Sequence, residues 1–164
     1  MAIKGRVWKY GDNVNTDVIF PGKYTYTVSD PNEMAQYAME DLDPRFAKQV
    51  KPGDVVVGGS NFGCGSSREQ AVTCLKMAGV GAIIGKSFAR IYFRNCINNA
   101  LPALTCAEAV EALEDGDEVE VDLQAGEIHS ARGTFTFPAL PEMAMEMMAA
   151  GGLIPYTRKK LGLA

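Results

Sequence analysis

Two short apolar runs, Val55-Val56-Val57-Gly58-Gly59 and Ala82-Ile83-Ile84-Gly85, each lead through a loop into a helical pattern. Runs this short, bounded by turn formers, suit strands covered on both faces. Lys51-Pro52-Gly53-Asp54 turns the chain into the first run, and Gly79 to Gly81 turn it into the second. Two strand-loop-helix units in succession imply parallel strands with right-handed crossovers, since a parallel pair needs a long connection. The first helix is expected to begin near Ser66. The second is expected to be capped by Ser87 and to carry Phe88, Ile91, Tyr92 and Asn95.

The flanking segments have other periods. Gly5 to Tyr10 alternates as a half-buried strand, and Asn13 to Gly22 reads as an ordered irregular loop. Asp30 as N-cap, Pro31 at the first helical position and Glu33 in the first turn predict a helix to about Asp41, with Met34, Tyr37 and Ala38 on one face. Pro44 starts a short turn. In the last third, Asp117 to Leu123 and Gly133 to Phe137 alternate strictly around Glu127 to Ser130, as antiparallel edge strands would. Pro141 to Ala150 reads as a Met-rich helix stopped by Gly151-Gly152, and Tyr156 to Lys160 as a basic tail. A length of 164 residues suits one core, so a single domain over 1–164 is expected.

Several function classes are excluded early. Sixteen Lys and Arg against twenty Asp and Glu leave a net charge of −4, no field for gathering phosphates, so nucleic acid is not an expected partner. The apolar runs fall far short of the roughly 18 residues that span a bilayer, and no membrane is expected. The first residues, Met1 to Arg6, lack the layout of a secretory signal, which gives the cytoplasm as the expected compartment. Cys64, Cys74, Cys96 and Cys106 form no CxxC pair and read as free thiols rather than disulfides or cluster ligands. Gly85-Lys86-Ser87 fails as a P-loop because the first glycine would fall on Val80, and Gly63-Cys64-Gly65 lacks the third glycine of a dinucleotide loop. The one histidine, His129, falls on a predicted edge strand and reads as a solvated residue, not the centre of a triad.

Chemistry concentrates in Gly63-Cys64-Gly65-Ser66-Ser67-Arg68-Glu69, where two hydroxyls and a guanidinium meet an expected helix start. First-turn N–H groups, the helix dipole and Arg68 would together receive a carboxylate or phosphate. Ser66 and Glu69 are also spaced as a capping box, which would occupy the same hydroxyl in ending a helix. The spacing does not choose between the two. If the chain does acid–base chemistry on a carboxylate, the Lewis acid that helps a leaving group depart must come from another chain.

Gly11 to Asp17, Gly63 to Glu69 and Ala82 to Asn95 together resemble the small-subunit family of 3-isopropylmalate dehydratase, over nearly the whole chain. Three motifs in family order at matching spacing are far more specific than one glycine loop. The resemblance implies an α/β fold, the swivelling β/β/α three-layer domain of the aconitase C-terminus, with a mixed, barrel-like sheet and flanking helices. It implies a hydro-lyase subunit that interconverts 2-isopropylmalate and 3-isopropylmalate in leucine biosynthesis through a cis-alkene, active only with a large subunit. That partner's three cysteines would hold a [4Fe-4S] cluster, and this chain would bind no cofactor. By the same resemblance Ser66 is the alkoxide base, Ser67 through its N–H and Arg68 bind a carboxylate of the small dicarboxylate substrate, and Asp17 orients partner groups across the interface.

Substrate choice in the family is associated with the loop after Pro21-Gly22-Lys23, here Tyr24-Thr25-Tyr26-Thr27. Homoaconitase-like members tend to carry an arginine there, and this chain has Tyr26, so an apolar substituent is expected because a phenol replaces an arginine at a buried carboxylate only at a cost of several kcal/mol. Tyr24 reads equally as cover for the sheet or interface. Citramalate, 2,3-dimethylmalate or homoaconitate as substrate stays open, as do a non-catalytic carboxylate-binding module and self-association of the isolated chain. Lys86, Arg90 and Arg94, four apart, read mainly as a solvated basic stripe, with one basic helix face toward the partner as the alternative, and Met143, Met145, Met147 and Met148 as core or as an adaptable docking face.

Overall fold

The computed structural model describes residues 2–163. Its strands are β1 (Ala2–Lys9), β2 (Val55–Val57), β3 (Ala82–Gly85), β4 (Ala103–Thr105), β5 (Glu118–Asp122), β6 (Glu127–Ser130) and β7 (Gly133–Thr136). Among the described residues they form one mixed sheet in the order β4-β3-β2-β1-β5-β6-β7. The first four are parallel, while β5, β6 and β7 continue from β1 as an antiparallel meander. The two repeated units thus become β2 and β3, as their apolar runs predict. His129 lies on β6, one strand in from the edge, and is exposed as expected.

Short helices complete the chain: α1 (Thr16–Ile19), α2 (Pro31–Met34), α3 (Phe46–Gln49), α4 (Gln70–Met77), α5 (Arg90–Asn98), α6 (Ala107–Ala112), α7 (Glu142–Ala150) and α8 (Leu153–Lys160). Successive side chains of a strand point to opposite faces, and β2 shows why it tolerates no polar residue. Val56 joins Trp8, Ile83 and Ala103 in a core with α1 to α5. Val55 and Val57 join Val7, Ala82, Ile84 and Leu104 in a second core closed by α6, Val119, Val121 and Ile128. The layers are helices, parallel sheet, and α6 with the antiparallel meander, which is the expected three-layer arrangement.

Local expectations fail where tertiary bonds override propensity. The helix starting at Pro31 ends in a 3₁₀ turn at Ala35–Tyr37 instead of reaching Asp41. Met39 takes φ +60° and is fully buried, with its N–H on the Ile19 carbonyl at 2.7 Å, so burial of its side chain and a backbone bond to α1 end the helix. The loop 13–22 contains α1, one turn capped by Asn15. The expected basic tail is the end of α8, and Lys86 lies ahead of α5, paired with Glu111 at 3.3 Å, so no three-residue stripe forms. The Met-rich helix is α7: Met147 is buried, Met145 and Met148 pack on core, and Met143 is 61% exposed.

β1 is locked to β2 by one buried acid. Asp54 is 3% exposed and accepts from the Trp8 indole at 2.9 Å and from the N–H groups of Arg6 at 3.0 Å and Lys51 at 2.9 Å. Burial opposes its charge, but these donors with the Arg6 charge outweigh it, and its pKa lies below the ordinary aspartate value. The carboxylate therefore stabilises the fold at neutral pH, and that stabilisation is lost as pH falls below the ordinary aspartate range through the folded value. Asp54→Asn, which puts an NH2 group among three donors, should cost about 2–3 kcal/mol at pH 7. Its deficit should shrink in urea unfolding curves taken at successively lower pH below 4.

Candidate functional site

Parallel pairing sets the carboxyl ends of β1, β2 and β3 side by side, and the loop leaving each reaches the same place. Loop 58–69 follows β2, loop 10–15 follows β1 and leads into α1, and loop 86–89 follows β3. Thr16 N–H and Gly63 N–H donate to the Cys64 and Val14 carbonyls, each at 2.8 Å, and Thr16 Oγ1 donates to the Ser66 carbonyl at 2.8 Å. On its other side Phe62 N–H donates to the Ser87 carbonyl at 3.0 Å, and Ala89 N–H donates to Phe62 at 2.9 Å. Loop 62–66 is clamped from both sides.

The two glycines of the motif are required by that clamp. Gly63 has φ +84°, and a Cβ there would overlap the Tyr92 ring. Gly65 has φ +97°, and its Cβ would fall 2.6 Å from Asn15 Oδ1. Left-handed backbone and close approach both exclude larger residues.

The expected helix start at Ser66 is not found. α4 begins at Gln70 with Glu69 as its N-cap residue, and the Glu69 side chain accepts from Asn99 Nδ2 at 3.2 Å. No capping box forms, because the loop bonds to residues 14–16 hold the backbone away from helical geometry. Ser87 does not cap α5 either: Ala89 takes that place, and Ser87 Oγ accepts from Asn61 N–H at 2.7 Å. Ser66 is exposed, and its hydroxyl has no hydrogen-bond partner among the described residues, nor has the Ser67 N–H.

Arg68 points inward, 15% exposed. Its Nη2 pairs with Asp17 Oδ1, and its Nη1 donates to Thr25 Oγ1 at 2.7 Å. Asp17 is fixed in turn by the α1 cap, in which its N–H donates to Asn15 Oδ1 at 2.8 Å. Three of the expected residues, Ser66, Ser67 and Arg68, line one cleft of about 240 Å³ with Thr16, Arg90, Ile91 and Asn95. Asp17 touches Arg68 from behind.

The two tyrosines do not enter the cleft. Tyr24 stacks on Tyr37 with ring centroids 4.0 Å apart, and its hydroxyl donates to Glu40 Oε1 at 3.0 Å. Burial first, and then that bond, raise its pKa. Tyr26 is 98% exposed at the loop tip. Thr16, Thr25, Arg90 and Ile91 belong to the site or its support and were not singled out for it by the sequence. Thr16 and Thr25 carry hydroxyls that lie outside the Gly63–Glu69 loop, and Arg90 looked like one member of a stripe.

A larger hollow of about 730 Å³ lies at the opposite end of β2, where Lys4, Arg6 and Lys51 mix with Glu118 and Glu120 and the buried acid Asp54 is saturated with donors. Among the described residues no group of three His, Cys, Asp or Glu could hold a metal ion. All four cysteines are free, and burial raises the thiol pKa of Cys74 and Cys96 well above its ordinary value. No helix is long and apolar enough to cross a membrane among the described residues.

Residues 10–109 match the aconitase C-terminal domain model. The chain is 52% identical to the isopropylmalate/citramalate isomerase small subunit of Methanocaldococcus jannaschii, covering 97% of this chain and 95% of that one. It is 46% identical to the 3-isopropylmalate dehydratase small subunit of Thermodesulfovibrio yellowstonii, over 99% and 98%. The crystal structure of 3-isopropylmalate dehydratase from M. jannaschii superposes with a TM-score of 0.92 at 46% identity, covering 98% of this chain and 96% of that one. Aconitase X of Thermococcus kodakaraensis, at 18% identity and TM-score 0.52 over 84% of this chain and 91% of that one, shares the fold. With both its swivelling fold and its Gly63–Glu69 loop, this chain belongs to the 3-isopropylmalate dehydratase small-subunit family of aconitase C-terminal domains.

Proposed function

We propose that the chain is half of a hydro-lyase active site, working with a large subunit to interconvert 2-isopropylmalate and 3-isopropylmalate in leucine biosynthesis, with Ser66 as its base. The observation that carries this reading is the exposed, unbonded Ser66 hydroxyl beside Ser67 and Arg68 in an open cleft. Ser66 Oγ, as alkoxide, takes the proton from the carbon next to a substrate carboxylate as hydroxide leaves the neighbouring carbon; after the alkene has turned, it returns the proton to that neighbour as hydroxide adds to the first carbon. The free Ser67 N–H and the N–H groups that Arg68 has to spare receive that carboxylate; a guanidinium has five, and Thr25 and Asp17 engage Nη1 and Nη2. Asp17 holds the guanidinium in place, a nearer task than orienting groups across an interface.

The cleft offers no group of its own to help hydroxide depart, and the chain's four scattered cysteines, three of them buried, do not suit a cluster. A [4Fe-4S] cluster on the large subunit supplies that Lewis acid. Tyr24, tied to Glu40 and Tyr37, is the root of the specificity loop, and Tyr26 at its tip meets the substrate's alkyl group once the partner closes over it. The relative named for both isopropylmalate and citramalate supports citramalate as a second substrate.

Four outcomes test this. Purified alone, the chain should be inert and give no calorimetric heat with 2-isopropylmalate; anaerobic reconstitution with the large subunit should give the 3-isomer. In that complex Ser66→Ala should lower kcat by about 10²–10⁴-fold, the range for a lost general base, with assembly by gel filtration unchanged. Undiminished turnover removes Ser66 from the role. Asp17→Asn should lower kcat/KM by about 10²-fold through misplacement of Arg68. A panel of 2-isopropylmalate, citramalate and homocitrate should show activity on the first two and none on the tricarboxylate.

A further inference from the structure

The cleft's electrostatics single out a residue with no role in the reading above. A dicarboxylate entering it brings two negative charges. Arg68 does not answer them with net charge, because Asp17 matches it and Thr25 takes a further donor. The positive end of α4, expected at Ser66, lies four residues away at Gln70. Arg90 is different. It is exposed, lines the cleft with Ser66, and makes no ion pair among the described residues.

Its position is not accidental. Arg90 is the first residue of α5, and the two backbone bonds flanking Phe62 tie the start of that helix to the Ser66 loop. Packing repeats the tie, with Phe62 against Tyr92 at 5.8 Å between centroids and the Tyr92 hydroxyl on the Ala71 carbonyl at 3.0 Å. Ser66 and Arg90 are therefore held on one rigid frame. The nearby cations are otherwise disposed. Lys86 is paired with Glu111, and Arg94, one turn along α5, lines a neighbouring hollow but not this cleft, whereas Arg90 borders both.

The geometry points to Arg90 as the cation that binds a substrate carboxylate at the Ser66 cleft, supplying the net positive charge that Arg68 cannot. This rests on the dehydratase reading. It assigns Arg90 to binding: the bond is present in ground and transition states alike, so its loss falls on KM and leaves kcat.

The test uses the reconstituted two-subunit enzyme with 2-isopropylmalate. Arg90→Gln should raise KM about 10- to 100-fold, as for a lost charge-assisted hydrogen bond, with kcat within about threefold of the parent. Arg90→Lys should recover most of that rise, and Arg94→Gln should behave as the parent. The parent's kcat/KM should fall with added salt more steeply than that of Arg90→Gln. An unchanged KM in Arg90→Gln overturns the assignment, as does an equal rise in Arg94→Gln, which would report a general surface field. Loss of subunit assembly in Arg90→Gln also overturns it, placing Arg90 in the interface. The underlying reading fails separately: Ser66→Ala would then keep full turnover, whereas an inactive Ser66→Ala beside a silent Arg90→Gln removes Arg90 alone.

Discussion

Parallel pairing of β1, β2 and β3 places three carboxyl ends in a row, and every loop of the candidate site leaves from one of them. The pairing is enforced by burial on both faces. Val55, Val56, Val57, Ile83 and Ile84 are all fully buried, and at about 1.5–3 kcal/mol for each large side chain no register that exposed this set would compete. The end of β2 is fixed before any loop chooses its path. Asp54 secures the opposite end, so the strands cannot slide and the three loops cannot separate.

What the frame then achieves is a division between bonded and unbonded groups. Loop 62–66 makes backbone bonds on both sides, Arg68 is engaged by Asp17 and Thr25, and Thr16 holds the Ser66 carbonyl. Among the described residues the Ser66 hydroxyl and the Ser67 N–H are left without partners in this network. A polar group left free while its neighbours are saturated is poised toward whatever enters the cleft.

The sequence made the sheet legible and the site only in part. β2 and β3 could be read because their uniform apolar character has one structural meaning, and the meander from β5 to β7 because alternation has another. Ser66, Ser67 and Arg68 stood out by chemistry at a glycine loop. Their setting did not: Ser-x-x-Glu is a capping pattern, and only contacts made some fifty residues away in sequence, from Val14 and Thr16, keep it from capping. Arg90 was hidden for the same reason. Its spacing from Lys86 and Arg94 suggested a helical stripe, but the helix starts at Arg90, and the cleft is formed by a segment that the stripe pattern cannot see.

An open half-site also accounts for the weak reactivity expected of a serine on a wet surface. In water a lone hydroxyl beside a guanidinium gains little, since a unit-charge interaction at 4 Å is worth about 1 kcal/mol at the bulk dielectric constant and about 4 kcal/mol near a protein surface with an effective value of 20. On the proposed reading, docking of a second subunit would remove that solvent. Under that proposal the Ser66, Arg68 and Arg90 set would gain a strong field only when covered, which is a physical reason to divide such a site between two chains: the base would be activated only where the Lewis acid is also present.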